Sequence, residues 1–280
     1  MIRNRFILGL MLISIFCSSV LASPQSCRES IGVDNKYLKN DFYSTEVYLL
    51  IDKSTYFSQK DKDTVLKKIS PFIKSNTKIN VYSFTEYGKD SKNENFGSYY
   101  IYSDLTNNEE DDISRSKVKK ITHCLNEVKI FTYNGIKNGL EKGTRKKEDN
   151  ISKSEILRNL KIYSKNNIRY SKAKRKVVVI MSDMLENSKH ISFYKNGLVK
   201  LLDINKELEL VKKRNLLAAF NDSEIYVYGL GSVEVNSSKE DNRDSDVLDN
   251  LADFWDEYFV SSGGRPHGLR SYNMDYTLEY

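Results

Sequence analysis

The run Val177-Val178-Val179-Ile180-Met181, held between Arg175-Lys176 and Ser182-Asp183, constrains the fold of this chain more than any other stretch. An unbroken apolar run of this length, mostly β-branched and bounded by polar residues, predicts a short strand buried on both faces, as in the interior of a parallel sheet. Asp183 stands where that strand stops. In open α/β sheets helices cover both faces and leave the carboxyl ends of the strands open, so ligands bind there. Position alone therefore makes Asp183 a candidate.

The same grammar extends along the chain. Val47-Tyr48-Leu49-Leu50-Ile51 is a second buried-type strand, and it too ends in an aspartate, Asp52. Ser58-Gln59-Lys60-Asp61 offers an N-cap hydroxyl with an acid three residues on, which predicts a helix. Val65, Leu66, Ile69, Phe72 and Ile73 continue it at helical spacing, and Pro71 should shorten its last turn. Lys78 to Phe84 reads as a strand, and Tyr99-Tyr100-Ile101-Tyr102 as an edge or hairpin partner. Residues 88–150 are expected to form an irregular insertion, with Asn107 to Asp112 an acidic loop and Val128 to Tyr133 one more strand. Ile156, Leu157, Leu160 and Tyr163 mark a helix before the central strand, Leu208 to Phe220 another, and Glu224 to Leu230 a further strand. The last helix, capped by Asp244 or Ser245, carries Val247, Leu248, Leu251, Phe254, Trp255, Tyr258 and Phe259 on one apolar stripe and ends at Gly263-Gly264. Strands alternating with helices predict an α/β fold: a doubly wound, mostly parallel sheet with helices on both faces, spanning residues 45–262. An arm, 23–44, would precede this domain and a tail, 263–280, follow it.

The first 22 residues read as a targeting segment. Arg3 and Arg5 form a basic region, Phe6 to Phe16 an apolar one, and Ala22 is the small residue expected before a signal-peptidase cut. A membrane anchor is the alternative reading, but a span needs roughly 20 apolar residues, and Ser18, Ser19 and Ser23 end this run early. Cleavage at 1–22 would leave a periplasmic or secreted chain without a transmembrane segment. It would also leave Cys27 and Cys124, which suggests one disulfide; two unpaired buried thiols are the alternative. The formal charge of +6 includes Arg3 and Arg5, so the processed chain carries +4. Its lysines are scattered rather than gathered on one element with stacking aromatics, so nucleic acid is not an expected partner.

Candidate chemistry lies at the two strand ends, in Asp52-Lys53-Ser54-Thr55 and in Ser182-Asp183. If the strands are parallel neighbours, both carboxylates meet at one edge of the sheet. Acids flanked by hydroxyls are hard oxygen donors of the kind Mg²⁺ takes in an octahedral shell completed by water. The order strand, Asp-x-Ser, helix, Gly-Thr in a later loop, then strand ending in Ser-Asp resembles the von Willebrand factor type A domain with its metal-ion-dependent adhesion site. The resemblance covers residues 45–262. It implies that Asp52 and Ser54 fill the first two positions of the family's Asp-x-Ser-x-Ser, that Asp183 is its later aspartate and that Thr144, after Gly143, is its threonine ligand. Tyr56 departs from the pattern, standing where the second serine belongs. The implied function is protein binding without catalysis: an exported domain engaging a partner in the cell envelope, in some members through Mg²⁺.

Two further readings stay open. Paired carboxylates could hold a metal for phosphoester hydrolysis, or the chain could be a purely structural subunit of an envelope assembly. His123, His190 and His267 are dispersed, and there is no G-x-S-x-G or P-loop; Gly229-Leu230-Gly231 lacks the third glycine of a dinucleotide loop. An aspartate at a strand end can also do no more than bond loop amides.

Overall fold

A computed structural model describes residues 27–33, 43–85, 93–144, 154–232, 245–270 and 278. The leader expected at 1–22 and the Asp244 cap lie outside them. The strands are β1 (Thr45–Asp52), β2 (Thr77–Phe84), β3 (Glu94–Ile101), β4 (Arg175–Met181), β5 (Tyr194–Lys195), β6 (Leu198–Val199), β7 (Ser223–Tyr228) and β8 (Gly264–Pro266). The helices are α1 (Gln59–Ile69), α2 (Asn107–Asp112), α3 (Arg115–Gly143), α4 (Ile156–Asn166), α5 (Ile204–Lys213) and α6 (Ser245–Ser261). Six strands form one mostly parallel sheet in the order β3-β2-β1-β4-β7-β8, with β3 antiparallel at one edge. β5 and β6 form a separate small hairpin.

β1 and β4 lie side by side at the centre, and every residue of β1 is buried. Because side chains alternate across a sheet, the two strands feed two separate cores. Val47, Leu49 and Ile51 join Val177, Val179 and Met181 in a core completed by α1 and α3. Tyr48, Leu50, Val178 and Ile180 enter the other, with α4, α5 and the aromatic stripe of α6. Burying an aliphatic side chain contributes roughly 1.5–3 kcal/mol, which explains why continuous apolar runs, useless on a half-exposed strand, belong here. α1 begins with a capping box between Ser58 and Asp61, and Pro71 lies in the 3-10 turn that closes it.

The middle of the chain differs from the expectation of an irregular insertion. Asn107–Asp112 is a short helix capped by Thr106, because the Thr106–Glu109 capping box satisfies its first amides. Val128 to Tyr133 is not a strand but part of the 29-residue α3. α3 lays Gly135, Gly139 and Gly143 against Tyr99, Val81 and Ile51, and this close approach to the sheet overrides the local β preference of Ile130 and Phe131. The expected helix over Leu208 to Phe220 is shifted: α5 ends at Lys213, where Asn215 takes a left-handed conformation (φ 53°). The supposed tail contributes β8, which pairs with β7 as the sixth strand.

Cys27 and Cys124 form a disulfide. Beside it the buried Arg28 guanidinium donates to Glu109 Oε1 at 3.1 Å and to the carbonyl of Ser103 at 3.1 Å, fastening the N-terminal turn over α2 and α3. Among the described residues no helix is long and apolar enough to cross a membrane.

Candidate functional site

β1 and β4 are in register through Ile51 and Met181, so the next residue of each chain segment, Asp52 and Ser182, arrives at the same rim. The Ser182 hydroxyl donates to Asp52 Oδ2 at 2.7 Å. Immediately after the strand the backbone turns, and Ser54 donates to Asp52 Oδ1 through its amide at 2.9 Å and through its hydroxyl. A third hydroxyl, from Ser154, reaches Oδ2 at 3.2 Å. Asp52 is fully buried. Burial pushes its carboxyl pKa up, against the opposing pull of the Ser54, Ser182 and Ser154 hydrogen bonds.

Ser154 comes to this place through a local pairing that the sequence does not announce. Ser154 and Asn187 exchange backbone hydrogen bonds at 3.3 and 2.9 Å, tying the lead-in to α4 against the loop that follows β4. Glu186 reinforces the same junction. Its Oε2 accepts the Leu157 amide at 2.9 Å, so it supplies the first turn of α4 with the acceptor that Glu155, at the N-cap, does not. Glu186 is buried, and burial pushes its pKa up to about 8 even though the Leu157 amide opposes the shift.

Asp183 sits one position beyond Ser182, half-buried at the same rim. Its amide donates to Thr55 Oγ1 at 3.4 Å and its Oδ1 accepts the Leu185 amide at 3.0 Å. Its carbonyl accepts the Gly231 amide at 2.9 Å, and the next residue, Met184, takes a left-handed conformation (φ 60°). The Trp255 indole donates to the Met184 carbonyl at 2.9 Å, which fixes the turn from α6. Gly229 also has a local purpose here: at φ 93° it packs where a Cβ would lie 2.6 Å from the Phe57 ring. The Gly229-Leu230-Gly231 segment therefore closes the back of the rim.

Of the residues nominated from sequence, Asp52, Ser54 and Asp183 share one edge of the sheet. Thr144 ends α3, and its hydroxyl donates back to the Leu140 carbonyl at 3.1 Å, the ordinary fate of a threonine among the last carbonyls of a helix. The hydroxyls that do bond Asp52, besides Ser54, are Ser182 and Ser154. Ser182 had a visible signal, its place at the end of the central strand; Ser154 had none. Tyr56 is 37% exposed on the loop after β1. Ser58 is spent on the α1 cap, donating to Asp61 Oδ2 at 2.6 Å.

The rim is thus an all-oxygen site of two aspartates and several hydroxyls. Among the described residues no three His, Cys, Asp or Glu side chains gather as a metal cluster, so any ion here would depend on serine hydroxyls and water. No protein-family model and no curated protein matches this chain.

Proposed function

We propose that this chain is an exported protein-binding domain of doubly wound, von Willebrand A-like architecture that engages a partner in the cell envelope at the rim formed by Asp52, Ser54 and Asp183. The observation that carries the reading is the convergence of three serine hydroxyls on the buried Asp52 carboxylate, with Asp183 beside them at the open end of the two central strands. The sheet order, with one antiparallel edge strand, supports the same reading.

The donor set fits Mg²⁺, which takes hard oxygens, needs only one or two carboxylates and keeps several waters. Asp52, Ser54 and Asp183 would hold it, with Thr144 as the further ligand that the resemblance implies, and the ion would take over hydrogen bonds that the Ser54, Ser154 and Ser182 hydroxyls make to Asp52. Bound there, the ion would supply an electrophilic position for a partner's carboxylate. The chain's own residues do the rest: Ser182 and Ser154 hold the Asp52 carboxylate in place, and the Thr55 and Leu185 contacts hold the turn that presents Asp183. Tyr56, exposed at the rim, offers an aromatic contact.

Titration calorimetry of the leader-free chain with Mg²⁺ and Mn²⁺ tests the metal part. Saturable heat, lost in Ser54→Ala and in Asp183→Ala, is expected; a flat trace for the parent chain removes metal-mediated binding. Crosslinked pull-down from envelope extract tests the partner part. Folded Asp183→Ala should recover less of whatever the parent enriches, and equal recovery would count against the rim.

A further inference from the structure

The segment between Ile156 and Ser182 contains eight bases and no acid. Arg158, Lys161 and Lys165 lie at positions i, i+3 and i+7 of α4, the spacing of one helix face, while Leu157, Leu160 and Ser164 of the same helix are buried. The turn from α4 into β4 adds Arg169, Lys172 and Lys174, all exposed. The two groups are continuous, because Asn166 and Asn167 at the end of the helix line the same opening as Tyr170 and Lys172. Tyr170 stands among the bases, 69% exposed, with the Arg169 guanidinium 5.8 Å from the centre of its ring.

These charges crowd one another. Burial, and after it the charges of Lys165 and Arg158, hold the Lys161 ammonium below its usual pKa. Acids on the neighbouring elements do not offset the crowding, since each holds a base already. Glu46 meets Lys78 at 2.7 Å, Glu224 meets Arg175 at 2.7 Å and Asp222 meets Arg265 at 3.0 Å. The α4 face and the turn after it therefore keep their positive charge in excess, and an external anion would relieve it.

We propose that the outer face of α4 and the turn at 169–174 form a docking surface for an anionic phospholipid bilayer, with the Asp52 and Asp183 rim at the other end of β4. Clusters of roughly four to eight Lys and Arg are what an anionic leaflet attracts, and this surface carries six. The six are spread along a helix and a turn rather than converging on one point. Lipid headgroups diffuse laterally and gather beneath bases at any spacing, whereas a folded acidic protein has to match that spacing. A nucleic-acid strand needs free aromatic faces to stack on. On this segment Tyr163 is packed against Tyr48 and Tyr82, and the Tyr170 ring already carries Arg169. A tyrosine at a bilayer surface needs no free face, because it sits at headgroup level with its hydroxyl in water.

Flotation with lipid vesicles is the test, using the chain from Ser23 onward because the apolar run Phe6 to Phe16 would itself enter a bilayer. Vesicles of phosphatidylcholine with phosphatidylglycerol should carry the protein, vesicles of phosphatidylcholine alone should not, and raised salt should release it. Lys172→Gln with Lys174→Gln should weaken binding by about twentyfold, at about fivefold for each base, and Lys161→Gln with Lys165→Gln likewise. Lys119→Gln with Lys120→Gln, exposed on α3 at the other face of the sheet, removes the same charge and should bind as the parent does. Asp183→Ala should also bind as the parent does, which separates this surface from the rim. Circular dichroism checks each variant, and the exposed Lys172 and Lys174 pair decides the matter if the α4 pair misfolds. The proposal is overturned if anionic vesicles do not carry the parent chain, if Lys172→Gln with Lys174→Gln binds them as tightly, if the α3 pair loses as much, or if oligothymidylate or polyglutamate binds in place of the vesicles.

Discussion

Asp52 keeps a carboxylate where water does not reach, and the serines around it supply the hydrogen bonds that water would have made. Removing one of them exposes the arrangement. Ser182→Ala takes away a 2.7 Å bond to a buried acceptor and is expected to lower unfolding free energy by about 1–3 kcal/mol in urea titrations; Ser154→Ala, whose bond is longer, should cost less. Glu186 gives a pH signature. Its pKa rises from 4.5 to about 8 on folding, so the folded state favours the protonated form. That contribution is complete below pH about 4.5 and disappears as pH climbs through about 8. The midpoint of thermal unfolding should therefore fall as pH rises from about 4.5 to about 8 and level off above that, and Glu186→Gln should flatten the slope. At this scale the strand-end acids were legible because an apolar run that stops at a carboxylate names its own end. Ser154 and Glu186 were not, because their roles arise from the pairing of Ser154 with Asn187, which no periodicity encodes.

Among the elements, the strands and the amphipathic helices α1, α4 and α6 were readable from spacing and caps. The long helix α3 was not. Its glycines, four residues apart, look like interruptions, and Val128 to Tyr133 carries the bulky residues of a strand. In the fold those glycines are the flat side of α3, set against Tyr99, Val81 and Ile51. An exposed helical glycine replaced by alanine usually gains about 1 kcal/mol. At Gly139 the added methyl would lie 2.5 Å from Val81 Cγ1, and overpacking of a tight contact costs about 1–3 kcal/mol. Gly139→Ala should therefore lower the melting temperature, and a rise would show that α3 stands farther from the sheet. β8 escaped notice for a simpler reason: three residues, Gly264-Arg265-Pro266, are too short to show alternation.

For the molecule as a whole, the Cys27–Cys124 bridge closes 97 residues of chain. In the chain-entropy account a loop of that length is worth several kcal/mol, and loss of a native disulfide commonly costs about 2–5 kcal/mol. Reduction should shift urea unfolding by that amount, and Cys124→Ala should reproduce the shift without reductant. The bridge also divides the sheet unequally. β1, β2 and β3 lie inside one covalent ring, whereas β4, β7 and β8 lie outside it and meet it chiefly at the β1–β4 seam. Asp52 belongs to the ringed part; Ser154, Ser182 and Asp183 belong to the part beyond it. A tug on the far end of the chain would unzip the outer strands toward that seam and separate the serines from their acid, so the rim would lose its grip before the ring itself opened.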